Sequence, residues 1–258
     1  RKLMTINEIY AAVLALFAAL TAGLVGSFAL MKRMTLAGDA ISHIALPGLG
    51  LGILFKVNPT LGGAVTLILG TILIWQLEKR TGIATETMIG VVFSTSLALG
   101  ALITPKEDLI DVIFGGFAPL STSSFLLGLL IALFIIWFIA KFKDKLIINL
   151  FSSDLGISTG INADRLNLYY LLIFSLTIIL GLQFLGASLA GSLIIIPAAA
   201  ARRFTEKFTP FLLTSALVSL AAVVAGLFVS RTYGLSLGPT VISAASFIFA
   251  LSLFKRNA

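Results

Sequence analysis

The sequence has few of the groups on which soluble proteins and enzymes depend. It contains no cysteine, a single histidine (His43) and only 11% charged residues, whereas a soluble domain carries about 25%. Without cysteine, neither a disulfide bond nor a thiolate metal site can form, so any metal site must use oxygen and nitrogen ligands. The scarcity of charge argues against a soluble fold.

Two catalytic motifs are also missing. The sequence has no Gly-x-x-x-x-Gly-Lys-Ser/Thr loop to cradle nucleotide phosphates and no His-Glu-x-x-His metalloprotease motif. Its one histidine lies near Asp39 in an apolar segment, which leaves no credible Ser–His–Asp triad. We therefore do not expect an enzyme, and ATP-driven transport would need an ATPase on a separate polypeptide.

Apolar segments recur along the whole chain. The composition is 59% hydrophobic, the mean hydropathy is +1.10, and segments of about 20 residues are long enough to span a hydrocarbon core of roughly 30 Å. This pattern predicts an all-α polytopic membrane protein, with residues 1–258 forming one transmembrane domain surrounded by lipid. The predicted spans are 9–31, 36–55, 59–78, 86–104, 121–141, 168–185, 187–203, 209–230 and 236–254. An eight-span alternative fuses the two short segments on either side of Gly186.

The basic residues indicate the orientation of these spans. The net charge is +7, but lysine and arginine lie at the ends of the apolar segments instead of forming one basic surface, which argues against nucleic-acid binding. With nine spans and the N-terminus outside, 13 of the 18 basic residues fall on the cytoplasmic side. The bias predicts an external N-terminus and a cytoplasmic C-terminus; the eight-span alternative would put Arg202 and Arg203 outside and fits less well.

Asp39 and His43 are two ionisable residues inside the second predicted span. Residues four apart on a helix share one face, so the carboxylate and the imidazole should project to the same side. Ionisable groups within a membrane are costly and mark functional sites by default, although polar residues also join neighbouring helices without binding anything. One oxygen and one nitrogen donor suit a divalent transition metal, so we predict that Asp39 and His43 are metal ligands.

The residues after this pair predict close helix packing. Pro47 removes a backbone hydrogen bond and favours a kink, while Gly48 and Gly52 form a small-xxx-small pair that could face another helix. Two ligands hold a metal poorly. A homodimer with a two-fold axis through the pore would unite two Asp and two His into a four-coordinate O₂N₂ site.

Two connections between the spans are polar. The longest is residues 142–167, predicted to be cytoplasmic, in which a loop leads to a short helix with Ser152 or Ser153 as its N-cap. This segment is either an ordinary loop or a docking surface for a cytoplasmic partner. The other connection, residues 104–119, resembles a short amphipathic helix on the outer face, for which simple solvation is the favoured interpretation.

Three motifs resemble the permease subunits of the zinc/manganese ABC importers, the ABC-3 family. The first runs from Gly26 to Met34 and continues through Gly38-Asp39-Ala40-Ile41-Ser42-His43 to Leu46-Pro47-Gly48. The second, a looser match, comprises Asp154-Leu155-Gly156, Gly160 and Arg165-Leu166. The third runs from Gly186 to Arg202 and includes Pro197 with the alanines that follow it. The resemblance extends over essentially the whole chain.

This resemblance implies an architecture and a set of partners. It implies a type II importer-like helical fold and a homodimeric pore in the inner membrane, with Asp39 and His43 on the ion pathway. Two copies of an ATP-binding subunit would dock on the cytoplasmic side, and an extracytoplasmic binding protein would deliver the metal. No cofactor would be permanently bound, because Zn²⁺ or Mn²⁺ is the cargo. The residues expected to couple to the ATPase are Ser152, Ser153, Asp154, Gly156, Gly160 and Arg165.

The identity of the cargo rests on finer signals. Leu237-Gly238-Pro239-Thr240 is more similar to the zinc permeases, whereas Ser42-His43 followed by Leu46-Pro47-Gly48 is common in the manganese branch. The general order of metal affinities favours Zn²⁺, and we expect zinc. Three other functions stay open: a permease for a metal chelate or vitamin B12-like cofactor, a stand-alone secondary metal transporter, and a structural membrane subunit.

Overall fold

Helices make up the described part of the chain. The computed structural model describes residues 6–34, 36–104, 121–151, 162–205 and 207–254, and within these ranges every regular element is α-helical. The ten helices are α1 Ile6–Met31, α2 Ala37–His43, α3 Leu46–Leu54, α4 Pro59–Thr81, α5 Thr85–Ile103, α6 Thr122–Phe151, α7 Ala163–Leu185, α8 Ala187–Phe204, α9 Phe208–Tyr233 and α10 Leu237–Leu253.

Each predicted span corresponds to a helix or to a pair of helices. Within the described residues, seven segments are long and apolar enough to cross a membrane, and α2 and α3 together count as one of them. The apolar helix α10 falls just short of that length, and α8 is not among the seven. The all-helical membrane fold is therefore confirmed, while the total of nine spans stays a prediction.

A break separates α7 from α8, as the nine-segment interpretation requires. Gly186 ends α7 with φ 73° and ψ 176°, a conformation that residues with a Cβ rarely adopt. The fused helix of the eight-span alternative is therefore wrong for this region. Pro197 lies inside α8, where its missing N–H leaves one helical hydrogen bond unmade.

The second predicted span, residues 36–55, is not one continuous helix. It divides into α2 and α3 at Ile44 and Ala45, whose N–H groups bond three residues back, to the carbonyls of Ile41 and Ser42. Pro47 explains the interruption, because it has no N–H to donate to the carbonyl of His43. The prediction placed a kink here, but the chain forms two short helices, and His43 is the last residue of the first.

The long polar connection is shorter than predicted. Residues 142–151 continue α6 as helix, and α7 begins at Ala163 instead of residue 168. Lysines at the end of α6 lie over aromatic rings of the same helix; Lys141, for example, has its ammonium 4.8 Å from the ring centre of Trp137. The predicted short helix after Ser152 and the amphipathic helix at 104–119 fall almost wholly outside the described residues.

Close backbone approach holds the helices around α1. Gly23 and Gly26 on α1 lie against Ser215 of α9 and Ile194 of α8, where a Cβ would overlap their carbonyl oxygens. Ser215 donates a hydrogen bond to the Gly23 carbonyl at 2.7 Å, and the buried Tyr170 hydroxyl of α7 donates to the Val25 carbonyl at 3.2 Å. Small residues and buried hydrogen bonds are how helices associate in lipid, where apolar burial alone gives little preference. This packing fixes α8, against which α2 lies.

Candidate metal site

The short helix α2 carries both predicted metal ligands. Asp39 lies in its first turn and His43 is its last residue. The two side chains project to the same side, with His43 Nδ1 3.9 Å from Asp39 Oδ1. That separation is too long for a hydrogen bond, so the imidazole and the carboxylate remain separate donors.

The histidine ring is oriented by the backbone of its own helix. His43 Nδ1 lies 2.8 Å from the carbonyl oxygen of Asp39. Because a carbonyl can only accept, the bond assigns the proton to Nδ1 and leaves the lone pair of the neutral ring on Nε2. A histidine held by Nδ1 in this way presents Nε2 as its metal-binding atom.

The two donors differ in their accessibility. The side chain of His43 is 14% exposed, whereas that of Asp39 is 57% exposed. Among the described residues, no group of three or more His, Asp or Glu side chains comes together to form a complete metal site. One chain therefore offers one nitrogen donor and one carboxylate, half of the ligands that the predicted four-coordinate site would need.

Two contacts that the sequence did not reveal position this half-site. The ring of Phe93 on α5 packs edge-on against His43, with 5.5 Å between ring centres. Gly191 of α8 lies directly against the backbone of Gly38 and Asp39, with no room for a Cβ. Gly191 belongs to the third motif, but only the packing of α8 on α2 reveals its function as a spacer. Phe93 is one of 20 phenylalanines, and nothing in its sequence context marks it.

The predicted helix-packing residues lie next to the site. Gly48 of α3 lies against Gly62 of α4, each without space for a Cβ, and a Cβ on Gly52 would approach the Cα of Pro59 to 2.6 Å. These glycines join α3 to α4 by backbone contact. Pro197 is buried on α8, one helical turn beyond Leu193 and Ile194.

Most of the predicted coupling residues lie outside the described part of the chain. These are Ser152, Ser153, Asp154, Gly156 and Gly160. Arg165 is described: it is exposed in the first turn of α7, and its N–H bonds to Oδ1 of the N-cap Asn162 at 3.0 Å. Its role at a partner surface stays a prediction.

Comparison with known proteins gives consistent matches over nearly the whole chain. The family model described as ABC 3 transport family matches residues 5–256. The high-affinity zinc uptake system membrane protein ZnuB of Haemophilus influenzae is 33% identical over 259 residues, which is 94% of this chain and 98% of that protein. The manganese transport system membrane protein MntC of Listeria monocytogenes is 27% identical, over 90% of this chain and 85% of that protein.

A solved structure confirms the relationship at the level of the fold. A chain in the structure of PsaBC from Streptococcus pneumoniae in complex with Fab superimposes with a TM-score of 0.83 and 25% sequence identity. The match covers 97% of this chain and 92% of that chain. Together with the family match from residue 5 to residue 256, these similarities confirm the resemblance of the three motifs. This chain belongs to the ABC 3 transport family.

Proposed function

We propose that this chain is the membrane-spanning subunit of an ATP-driven importer of divalent transition-metal ions, and that Asp39 and His43 bind the ion in transit. The observation that carries the proposal is the exposed Asp39 carboxylate, inside an apolar segment and beside an imidazole whose Nε2 is free. A carboxylate facing lipid would be expensive, so it must face water, an ion or another polypeptide.

A second copy of the chain is the partner that completes this site. Two chains related by a two-fold axis would supply two carboxylates and two imidazoles, the O₂N₂ set of a tetrahedral site with ligand distances of about 2.0–2.2 Å. The neighbouring helix α5 supports the assignment of this face of the chain to the ion pathway. The side chains of Thr87, Ser94 and Thr95 on α5 are exposed. Polar side chains in a span line a pathway or meet a partner more readily than they face lipid.

Zinc is the favoured cargo over manganese. Two nitrogen and two oxygen donors bind Zn²⁺ more tightly than Mn²⁺, which prefers oxygen-rich sites of higher coordination number. The relationship to a zinc uptake protein at 33% identity, against 27% for a manganese transport protein, supports the same choice. Absence of cysteine fits an ion that has to leave again, because thiolate ligands would retain zinc strongly.

The remaining assembly follows from the family. Two ATP-binding subunits dock on the cytoplasmic side at residues 152–166, and an extracytoplasmic protein delivers the ion. The N-terminus lies outside and the C-terminus inside, in the inner membrane. In this orientation α2 enters from the cytoplasm, so Asp39 and His43 lie in the cytoplasmic half of the pathway.

Uptake into liposomes tests the metal site. The chain is reconstituted with its ATPase, and ATP-dependent accumulation of Zn²⁺ and Mn²⁺ is measured for wild type, Asp39→Asn and His43→Gln. Each variant should lower uptake at least tenfold while the complex still assembles. The exposed Asp144 on α6 provides a control with the same chemical change, since Asp144→Asn should transport normally. Normal uptake by Asp39→Asn would refute the assignment.

Mixed dimers test whether the two copies share one site. A complex that combines one wild-type and one Asp39→Asn chain, isolated with two different tags, should lose most of its uptake. If it kept about half, each chain would carry its own independent pathway. Ion flux from the chain without ATPase would support a secondary transporter, and uptake restricted to chelated iron or a B12-like cofactor would support the chelate alternative.

A further inference from the structure

A chain of hydrogen bonds joins α4, α5 and α7 to the residue that follows α1, at the end of the molecule where α7 begins. Lys32, directly after α1, donates from Nζ to Asn167 Oδ1 at 2.7 Å, and Asn167 Nδ2 donates to Glu78 Oε2 at 3.4 Å. Thr85, the first residue of α5, donates from its hydroxyl to Glu78 Oε1 at 2.6 Å. We call Lys32, Glu78, Thr85 and Asn167 the Asn167 junction.

The amide of Asn167 occupies the central position of the junction. An amide side chain accepts through oxygen and donates through nitrogen, so it can bridge a cation and an anion, which neither a carboxylate nor an ammonium group can do. Burial lowers the pKa of Lys32 to about 8, and the nearby Glu78 carboxylate acts in the opposite direction. The ammonium also lies 4.7 Å from the ring centre of Tyr170. The half-buried Lys32 ammonium is therefore held by the amide oxygen of Asn167 and the ring of Tyr170.

The junction borders both ends of the proposed coupling segment. Asn167 lies in the second turn of α7, which starts directly after residues 152–161 and is capped by Asn162. Trp75 of α4 donates from Nε1 to the carbonyl of Asp164 at 3.0 Å, so the first turn of α7 is tied to α4 as well. The adjacent cleft of about 490 Å³ is also lined by Asn149 and Leu150, at the end of α6.

The junction also connects to both helices that form the metal half-site. Lys32 belongs to the connection between α1 and α2 and lies seven residues before Asp39. Thr85 starts α5, whose Phe93 packs against His43. A displacement of the first turns of α7 must therefore either break these hydrogen bonds or move the starting points of α2 and α5.

From this arrangement we infer that the Asn167 junction transmits movement of the ATPase-docking segment to α2 and α5, and that its four residues are positioning residues for transport. The inference rests on the proposed function. Physical coupling between distant sites needs a contiguous element whose arrangement both sites bias. A half-buried, hydrogen-bonded junction between helices meets that requirement, because packed interfaces switch between discrete arrangements instead of deforming gradually.

The ratio of ions transported to ATP hydrolysed tests the inference. The complete transporter is reconstituted in liposomes, and Zn²⁺ uptake and ATP hydrolysis are measured for Asn167→Leu, which removes both bonds of the amide. Thr85→Val is a milder second variant that removes only the link to α5. Arg80→Gln, an exposed residue at the same end of α4, is the control. We expect both junction variants to hydrolyse ATP while their uptake per ATP falls at least fivefold.

Several results would separate a coupling role from a structural one. Uptake and hydrolysis that fall by the same factor would indicate a structural junction and overturn the inference, as would an unchanged ratio. If Asn167→Leu does not assemble with its ATPase, the uptake per ATP of Thr85→Val tests the inference instead. Lys32→Arg, which keeps a cation and a donor, should retain coupling. Failure of the proposed function would look different. In that case wild type would show no ATP-dependent metal uptake, or Asp39→Asn would not reduce it.

Discussion

Gly191→Ala is expected to disable the proposed metal site without changing the side chain of either proposed ligand. Gly191 on α8 lies against the backbone of Gly38 and Asp39, and the Cβ added by alanine would overlap the Gly38 carbonyl carbon and the Asp39 nitrogen. These are backbone atoms, so no rotation of a side chain can relieve the overlap. The start of α2 has to move away from α8.

The size of that movement follows from contact distances. Non-bonded carbon atoms are at their optimal separation at about 3.5–4.0 Å, so the overlap requires α2 to move by about 1 Å. Overpacking of this kind costs about 1–3 kcal/mol of stability. A metal site tolerates ligand displacements of only about 0.2 Å from ideal distances. Ion binding should therefore be lost at a destabilisation that the fold survives.

Uptake and thermal unfolding together test this prediction. Gly191→Ala should reduce Zn²⁺ uptake at least tenfold and lower the unfolding temperature, yet remain folded and bound to its ATPase. Gly90→Ala on α5 is the control for the unfolding temperature alone, because its Cβ would meet no atom within 4 Å in this chain. Alanine should stabilise that helix by about 0.5–1 kcal/mol. Wild-type uptake by Gly191→Ala would show that close packing of α8 does not set the position of Asp39.

Three smaller predictions concern individual side chains. Phe93→Leu removes the edge-on ring contact to His43, and such a contact contributes about 0.5–1.5 kcal/mol. The affinity for Zn²⁺ should therefore fall by about two- to tenfold. Unchanged Zn²⁺ affinity in an equilibrium titration would contradict this prediction. Lys56→Gly, at φ 55° after α3, should raise the free energy of unfolding by up to about 1 kcal/mol, and a lower unfolding temperature would count against it. Burial lowers the pKa of Lys32 from 10.5 to about 8. Between pH 8 and pH 10.5 the unfolded chain therefore binds more protons than the folded chain. The free energy of unfolding of wild type should rise with pH across that window, by up to about 1.4 kcal/mol per pH unit. Lys32→Met should lose that rise when unfolding is followed at about pH 8, 9 and 10.

The sequence predicted the membrane helices well because lipid imposes strong constraints on them. A span must be apolar, about 20 residues long and internally hydrogen-bonded, and each condition is visible in composition and length. The break at Gly186 was also predictable, because glycines and a proline interrupt a run too long for one span. Helix ends were less predictable: α6 continues for ten residues beyond residue 141, since basic and aromatic residues there extend the helix past the apolar region.

The detailed form of the site depended on contacts between distant segments. Asp39 and His43 could be proposed from their spacing, because an intramembrane pair on one helical face is rare. The orientation of the His43 ring, whose Nδ1 bonds to the backbone carbonyl of Asp39, could be seen only in the structure. So did Gly191 and Phe93, which come from other helices. The Asn167 junction was invisible for the same reason, since Lys32 and Asn167 are separated by 135 residues.

The distribution of close contacts separates the packed glycines from the exposed carboxylate of Asp39. Glycines on α1 and α3 bring these helices against α8, α9 and α4 through backbone contact, and such packing stabilises helices in lipid without large apolar side chains. The exposed side chain of Asp39 takes no part in those contacts. We therefore expect stability and the proposed ion binding to depend on different parts of the chain. Substitutions such as Gly48→Ala should lower stability most, whereas Asp39→Asn should leave stability nearly unchanged and abolish transport. If Asp39→Asn instead lowered stability and left transport unchanged, the Asp39 carboxylate would stabilise the fold of a single chain. It would then not be a ligand shared with a second copy.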